Sequence, residues 1–238
     1  MVGLLIPSRY EAVPFLRELD SCRSLGSNNG ITTYKGRISN QPVVVGICGV
    51  GCDHTVQRVG QWLDRFHLNG LILAGFAGAL HPKLKRGQIF IGAGSSPLKA
   101  PEMAEALPPH QYAMIHTCDS VVATASDKHQ LFEKTGCPLV DMETARVSEA
   151  AATRRLGLIV VRAVSDLSDE DVPVVTLSRG FDVISGHYTP FRLAAHLVLH
   201  PFQIKKLYDF SAPLPEVRTR LSEFLCALIG LGEQNLFE

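Results

Sequence analysis

Two acidic side chains, Glu143 and Asp166, occupy the positions of this sequence that most clearly indicate chemistry. Glu143 follows a short apolar run and Asp166 ends a β-branched run at 158–164, so each is predicted to stand at the end of a strand. An alanine-rich amphipathic segment between them predicts a helix. If the two strands are parallel, both carboxylates lie at the carboxyl edge of one sheet, where ligands bind, and form the working pair of an enzyme. The same pattern fits an acidic helix start and a capping Ser-Asp pair equally well.

Two glycine-containing segments could bring the backbone close to a ligand. The first, Cys-Gly-Val-Gly-Cys at 48–52, lies between a predicted strand and a helix predicted over 53–66, an arrangement that offers N–H groups to an anion or a ribose. The second, 75–80, is predicted as a turn after the apolar run 71–74, and its small residues leave room for a flat ligand. Phe76 in this segment could stack on an aromatic ring or pack in the core.

The elements that must position these residues alternate along the chain. This alternation favours an α/β fold with three layers, α/β/α, around a central mixed, mostly parallel sheet. Ser8 is expected to cap the first helix. The segments 94–113 and 167–180 are predicted as loops, the second resembling a lid. The whole chain, 1–238, is predicted to be a single domain with a divergent extension after about residue 170. Strands are predicted at 2–6, 31–38, 43–47, 71–74, 89–91 and 121–123, and helices at 9–19, 53–66, 126–135, 143–155, 192–199 and 217–231.

The composition excludes several classes of protein. Of the 238 residues 46% are apolar, and 23 Lys and Arg balance 23 Asp and Glu, so the chain is globular and nothing favours nucleic acid or a membrane surface as a partner. The six cysteines contain no Cys-x-x-Cys pair, which favours reduced thiols over a metal site. Since neither a signal peptide nor a run of about 20 apolar residues is recognisable, the protein is expected to be cytoplasmic.

Three blocks of the sequence have an order and separation that occur together in one known superfamily. They are Cys-Gly-Val-Gly at 48–51, the segment 75–89, and Val-Asp-Met-Glu at 140–143 with Val-Val-Arg-Ala-Val-Ser-Asp at 160–166. Together they resemble the nucleoside phosphorylase/nucleosidase superfamily, and the nearest pattern is that of the 5′-methylthioadenosine/S-adenosylhomocysteine nucleosidases. The resemblance implies the three-layer fold and cleavage of the N-glycosidic bond between ribose and a purine.

The resemblance also implies roles for particular residues. Met142 would pack on the sugar, and Glu143 would accept hydrogen bonds from its 2′ and 3′ hydroxyls. Asp166, oriented by Ser165, would protonate or hydrogen-bond the departing purine near N7, which stabilises the base while an oxocarbenium-like cation forms on the sugar. To donate a proton near neutrality Asp166 needs an apolar, partly desolvated site, which the run 159–164 could supply. Base contacts would come from Phe76, Ala77, Gly78 and Val122.

The nucleophile separates the alternative reactions. In the resembling hydrolases a glutamate near the N-terminus holds water, and a comparison without gaps aligns Ala12 with it. Glu11 could take that catalytic role after a shift of one residue, although on a helix this moves the side chain by about 100°. A phosphorylase binds phosphate through arginine, usually one that precedes the central glycine motif. In this sequence Leu-Ala-Gly at 73–75 occupies that place, so the usual arginine is absent. The remaining candidate anion binders are Arg9, Arg58 and Arg162.

Three functions therefore remain open at the level of sequence. The first is hydrolysis of an adenosine-type nucleoside, which could carry a 5′ substituent as in methylthioadenosine or S-adenosylhomocysteine. The second is phosphorolysis of a specialised nucleoside, of the hopanoid-pathway type, and the third is non-catalytic nucleoside binding. No cofactor is expected, apart from inorganic phosphate as co-substrate of a phosphorylase. A homodimer is expected, as is usual in the resembling hydrolases.

Overall fold

The computed structural model of the chain describes residues 1–51, 55–93, 105–180 and 190–237. Within them ten strands form one sheet. The strands are β1 (Val2–Ile6), β2 (Asp20–Asn28), β3 (Ile31–Ile38), β4 (Gln41–Ile47), β5 (Gly70–Ala79), β6 (Ile89–Gly92), β7 (His110–Ala113), β8 (Ile115–Thr117), β9 (Leu139–Asp141) and β10 (Leu158–Asp166). The helices are α1 (Arg9–Glu18), α2 (Thr55–Leu63), α3 (Ala125–Thr135), α4 (Thr144–Ala152), α5 (Val174–Gly180), α6 (Pro190–Leu199), α7 (Phe202–Ser211), α8 (Leu214–Gly230) and α9 (Glu233–Phe237).

The sheet has the order β2-β3-β4-β1-β5-β10-β6-β7, and β8 and β9 join at the end of β5. Its middle is parallel, because β1 pairs in parallel with β4 and β5, and β5 pairs in parallel with β10. These central strands are apolar and buried almost throughout, as strands covered on both faces are. The predicted three-layer fold with a mixed, mostly parallel sheet is confirmed.

Two apolar clusters make the layers. On one face α1 and α8 pack through side chains such as Phe15 and Phe224. On the other face α2 and α4 pack through Trp62 and Val147. Helices therefore cover both faces of the sheet. The loops at the carboxyl ends of β1, β4, β5 and β10 lie at the sheet edge, where a site can form.

The carboxyl half of β5 differs from the prediction. Residues 75–79, predicted as a turn, continue the strand, and Gly75 pairs with Arg162 of β10. A Cβ added at Gly75 would lie 2.6 Å from Arg162 Nη1 and 3.0 Å from Pro7 Cδ. The glycine is thus required by the close approach of neighbouring side chains to the strand rather than by a turn.

The direction of β9 also differs from the prediction. It pairs antiparallel with the end of β5, with Val140 opposite Gly78, so the expectation that Glu143 and Asp166 follow two parallel strands is wrong for Glu143. Because β9 runs back along β5, the chain after it reaches the level of Arg162, whose side chain contacts Glu143. The two carboxylates still meet at one edge of the sheet, by a different route.

Other differences lie farther from this edge. The strand β2 was not predicted, because it is polar and exposed along its length and is held by pairing with β3. Residues 110–113, predicted as loop, pair with β6 as β7, and 121–123 form no strand. The predicted lid over 167–180 contains the helix α5. The predicted loop residues 94–104 and the helix start at 53 lie outside the described residues. No helix among the described residues is both long and apolar enough to cross a membrane.

Candidate active site

A cavity of about 550 Å³ opens at the carboxyl ends of the central strands. Its wall contains all nine residues that were predicted from the sequence for catalysis or nucleoside contact. These residues are Glu11, Phe76, Ala77, Gly78, Val122, Met142, Glu143, Ser165 and Asp166. Residues far apart in the chain thus surround one space, and their contacts with a ligand stay predictions. Among the described residues no group of His, Cys, Asp and Glu is arranged to hold a metal ion.

Glu11 is held by the start of α1. The Ser8 N–H donates to its Oε2 at 3.0 Å, the Ser8 hydroxyl donates to the same oxygen, and the Phe76 N–H donates to Oε1 at 2.7 Å. Ser8 and Glu11 form a capping box, which directs the glutamate back over the helix end into the cavity. Burial raises the pKa of Glu11, against these hydrogen bonds and the charge of Arg162.

Ala12, the residue that a comparison without gaps aligns with the hydrolase glutamate, has no exposed surface and packs in the core with Phe15. The rotation of about 100° between successive helical residues therefore separates the two side chains. Glu11 faces the cavity and Ala12 faces the core, so only Glu11 can take part in chemistry there.

Glu143 stands at the N-cap position of α4 but makes no capping hydrogen bond with its side chain. Its Oε1 accepts from the Gly51 N–H at 3.2 Å, and its Oε2 lies 3.3 Å from Arg162 Nη2. Burial raises the pKa of Glu143 to about 7, against the opposing charge of Arg162. Glu143 therefore stands at a helix start, as the alternative interpretation expected, but its carboxylate is directed to Gly51 and Arg162. Met142 packs against Gly51, where an added Cβ would overlap its methyl group.

Arg162 lies beneath these carboxylates and is fully buried. Its Nη2 is 2.5 Å from Asp141 Oδ2 and 3.3 Å from Glu143 Oε2, while Nε and Nη1 have no hydrogen-bond partner among the described residues. A Cβ added at Gly75 would lie 2.6 Å from Nη1 and 3.1 Å from Glu11 Oε1, so both atoms border the same small space. The guanidinium thus compensates a group of three carboxylates.

The three arginines that the sequence offered for anion binding lie in different places. Arg162 is paired with carboxylates. Arg58 donates to the carbonyl oxygens of Asn29, Gly30 and Cys48, and Arg9 is exposed. None of the three lines the cavity among the described residues.

Asp166 is held by two donors. The Ser165 hydroxyl donates to Oδ1 at 2.6 Å, and the ammonium group of Lys128 donates to Oδ2 at 2.6 Å. The apolar surroundings expected for Asp166 are therefore wrong, because a fully buried cation of α3 lies against it. Sequence reasoning missed Lys128, since it stands in a polar run, Ser-Asp-Lys-His, that looks like an exposed helix face.

The turn that follows Asp166 is fixed from two sides. Arg86 donates from Nε to the Ser165 carbonyl oxygen at 2.8 Å and forms an ion pair with Glu170. Lys128 donates to the carbonyl oxygens of Leu167 at 2.7 Å and Glu170 at 2.8 Å. Two cations from separate elements therefore hold residues 165–170 in place.

The other end of the cavity is apolar. It is formed by α5 and the later helices, together with the chain before α5. Most of the side chains there are apolar, namely Val172, Val174, Leu177, Leu193, Leu207, Phe210 and Leu214, and the same helices also contribute Thr176, Ser178 and Ser211. Phe76 lies between the two ends, with its ring edge-on to Tyr10 at 6.4 Å between centroids. The cavity thus joins a region of carboxylates to a region of hydrocarbon.

The chain is similar to known proteins in sequence and in fold. The family model of the phosphorylase superfamily matches residues 2–98 and 93–184, which contain all of the predicted site residues. The 5′-methylthioadenosine/S-adenosylhomocysteine nucleosidase of Staphylococcus saprophyticus is 24% identical over 207 residues, covering 73% of this chain and 90% of that protein.

Solved structures are similar over almost the whole chain. The corresponding nucleosidase of S. pneumoniae, with the transition-state inhibitor MT-ImmA, has a TM-score of 0.69 at 20% identity and covers 96% of this chain and 98% of its own. The futalosine hydrolase of Helicobacter pylori has a TM-score of 0.69 at 17% identity and covers 97% of each chain. At this level of identity the likeness establishes the fold.

Proposed function

The chain belongs to the phosphorylase superfamily, and from this membership we propose that it is an enzyme that hydrolyses the N-glycosidic bond of a purine nucleoside. One observation carries the proposal: Glu11, Glu143 and Asp166 line a single cavity. The reaction needs a group for water, a group for the sugar and a group for the base. These three carboxylates supply them.

Glu143 and Met142 bind the ribose. The carboxylate accepts hydrogen bonds from the 2′ and 3′ hydroxyls, as the resemblance implies, and its negative charge stabilises the cation that develops on the sugar as the bond breaks. The burial that raises the pKa of Glu143 also strengthens this interaction, because a charge acts more strongly where water is excluded.

Glu11 is the base that activates water. A water molecule beside it adds its oxygen to C1′ and gives a proton to the carboxylate, while the electron pair of the C1′–N9 bond moves into the purine. Because none of Arg9, Arg58 and Arg162 lines the cavity among the described residues, this arrangement favours water over phosphate as nucleophile.

Asp166 binds the base. As a carboxylate paired with Lys128 it accepts a hydrogen bond from the N7–H of a purine that solvent has protonated, and this proton neutralises the electron pair that the base receives. The proton that Glu11 takes from water returns to solvent. Ser165 keeps the carboxylate in this orientation. The reaction balances without a cofactor, since the sugar gains a hydroxyl group and the base gains a proton, which together make up one water molecule.

The apolar end of the cavity holds the 5′ substituent. Leu193, Leu207, Phe210 and Leu214 lie outside the residues matched by the family model and belong to the later helices of this chain. A wall of this kind favours an uncharged alkylthio group, as in methylthioadenosine, over a free hydroxyl or the charged amino-acid tail of S-adenosylhomocysteine.

Release of adenine from methylthioadenosine, measured with and without phosphate, tests the proposal. We expect free methylthioribose and no dependence on phosphate. A requirement for phosphate would support the phosphorylase alternative, and tight binding without turnover would support a binding protein. Asp166→Asn is expected to bind the nucleoside and lose turnover.

We propose a cytoplasmic homodimer, and light scattering that gives the mass of one chain would contradict the assembly.

A further inference from the structure

Lys128 is a buried charged group for which the reaction described above has no direct use. It has no exposed surface, and its ammonium group donates to Asp166 Oδ2 at 2.6 Å, to the Leu167 carbonyl oxygen at 2.7 Å and to the Glu170 carbonyl oxygen at 2.8 Å. An ammonium group has three donors, so all of them are used. Lys128 therefore has no donor left for a substrate and can act only through the groups that it holds.

The pairing determines what Asp166 can offer to a ligand. Oδ2 accepts from Lys128 and Oδ1 accepts from the Ser165 hydroxyl, which also lies 3.2 Å from the Ala77 carbonyl oxygen. Both carboxylate oxygens therefore act as acceptors. A neutral carboxyl would leave the buried ammonium without its counter-charge, which is costly.

A carboxylate distinguishes purines by the group at position 6. Position 6 lies beside N7 on the same edge of the purine, so a carboxylate that meets N7 also faces this group. An amino group there donates a hydrogen bond to the carboxylate, whereas an oxo group presents lone pairs that the carboxylate repels. A site built around a fixed acceptor rejects the wrong partner strongly, because the mismatch leaves desolvated polar groups unpaired.

We propose that Lys128 is a positioning residue that keeps Asp166 as an ionised acceptor in one orientation, and that it thereby makes the site select 6-aminopurines over 6-oxopurines. The proposal rests on the proposed function, because it takes Asp166 as the group that meets the base. It adds a residue that touches no substrate and that determines which base is accepted.

The test compares base selectivity in matched variants. The ratio of kcat/KM for 5′-methylthioadenosine to that for 5′-methylthioinosine is measured for the wild type, Lys128→Met and Arg86→Met. Lys128→Met is expected to lower this ratio at least about tenfold, mainly through kcat on the 6-amino substrate. Arg86→Met removes the other cation of the same turn, which contacts the Ser165 carbonyl oxygen and not the carboxylate, and is expected to leave the ratio within about twofold.

Further measurements separate a positioning role from a structural one. In an Asp166→Asn background, which keeps binding, Lys128→Met should not change the ratio of adenine to hypoxanthine affinity measured by calorimetry, whereas a purely structural effect would weaken binding of both bases equally in either background. If Lys128→Met fails to fold, Lys128→Gln keeps N–H donors without the charge and should lower the ratio as well. An unchanged ratio in a folded Lys128 variant would overturn the proposal.

Binding of the free bases adenine and hypoxanthine, measured by calorimetry, distinguishes the two levels of the argument. If the wild type binds neither base and cleaves neither nucleoside, the proposed function is wrong. If it prefers adenine and the Lys128 variants keep that preference, only the inference about Lys128 is wrong. If the Lys128 variants lose the preference, the inference is supported.

Discussion

At the scale of single residues, Glu11 serves both the helix and the cavity. Its carboxylate accepts from the Ser8 backbone as the third residue of a capping box, and from the Phe76 N–H across the cavity wall. The Ser-x-x-Glu spacing at 8–11 is readable in the sequence as a helix start. This spacing places the glutamate at position 11, whereas a comparison without gaps expects it one residue later, at position 12.

Glu11→Gln is expected to lower kcat on methylthioadenosine about 10²- to 10⁴-fold, because the amide cannot take a proton from water. Binding of the nucleoside, measured by calorimetry, should change little. Glu18→Gln, at an exposed position of the same helix, is the matched control and should leave kcat unchanged. A kcat for Glu11→Gln within about threefold of the wild type would exclude Glu11 as the base.

Activity is expected to fall on the acid side of neutrality because of Glu143. Burial raises its pKa to about 7, so the free enzyme loses this charge as pH falls through that value. Since only the ionised form accepts both hydroxyl hydrogen bonds, log kcat/KM should fall by about one for each pH unit below about 7. A flat profile from pH 5 to 7 would contradict this role.

The same group affects stability in the opposite sense. A carboxyl whose pKa is raised from 4.5 to about 7 contributes stability that is fully present below pH 4.5 and is lost as pH rises through about 7. Glu143→Gln should therefore weaken the decline of Tm between these pH values. Glu149→Gln, on the surface of α4, is the control.

At the scale of elements, the pairing of β5 with β10 brings Gly78 against Asp166. Gly78→Ala is expected to displace the carboxylate and lower kcat about 10- to 100-fold, because small errors in position are costly in catalysis. Gly230→Ala is the control, since its Cβ would meet only Ser39 Oγ at 3.6 Å and alanine favours a helix. Equal kcat values in both variants would show that the contact at Gly78 is not important.

The elements that sequence could predict are those with a strong apolar pattern. The central strands β1, β5 and β10 have continuous apolar runs that identify them. The strand β2 is polar throughout and forms only because β3 pairs with it, and the carboxyl half of β5 stays extended despite its glycines because strands pair on it. Pairing partners of this kind are not visible in a local window.

The site shows the same limit. The sequence identified Glu143 and Asp166 from their positions after strands, and the resemblance supplied their expected roles. It did not reveal Lys128, because a lysine in a polar helical run gives no sign of burial. The ammonium group of Lys128 meets Asp166 only because α3 packs against the turn after β10, and no local sequence pattern indicates that packing.

At the scale of the whole molecule, the cavity is formed jointly by residues that follow the first strand and by residues of helices late in the chain. Phe210→Ser is expected to raise KM for methylthioadenosine about tenfold through lost apolar contact, with little effect on adenosine. Phe202→Ser changes an exposed residue of the same helix and should leave both substrates unaffected. An equal rise of KM for adenosine and methylthioadenosine would contradict the placement of the 5′ substituent at the apolar end of the cavity.

The capping box of α1 would influence the outcome of a directed-evolution experiment. In a library selected only for heat resistance at alkaline pH, changes of Glu11 to residues other than glutamine would be disfavoured, because only Glu or Gln at this position completes the capping box. Replacement of Glu143 by glutamine would be favoured, because it removes a buried charge that is unfavourable at that pH. Survivors would keep the side chain that caps the helix at position 11 and lose the sugar-binding carboxylate at position 143, so heat resistance would be gained at the expense of substrate recognition.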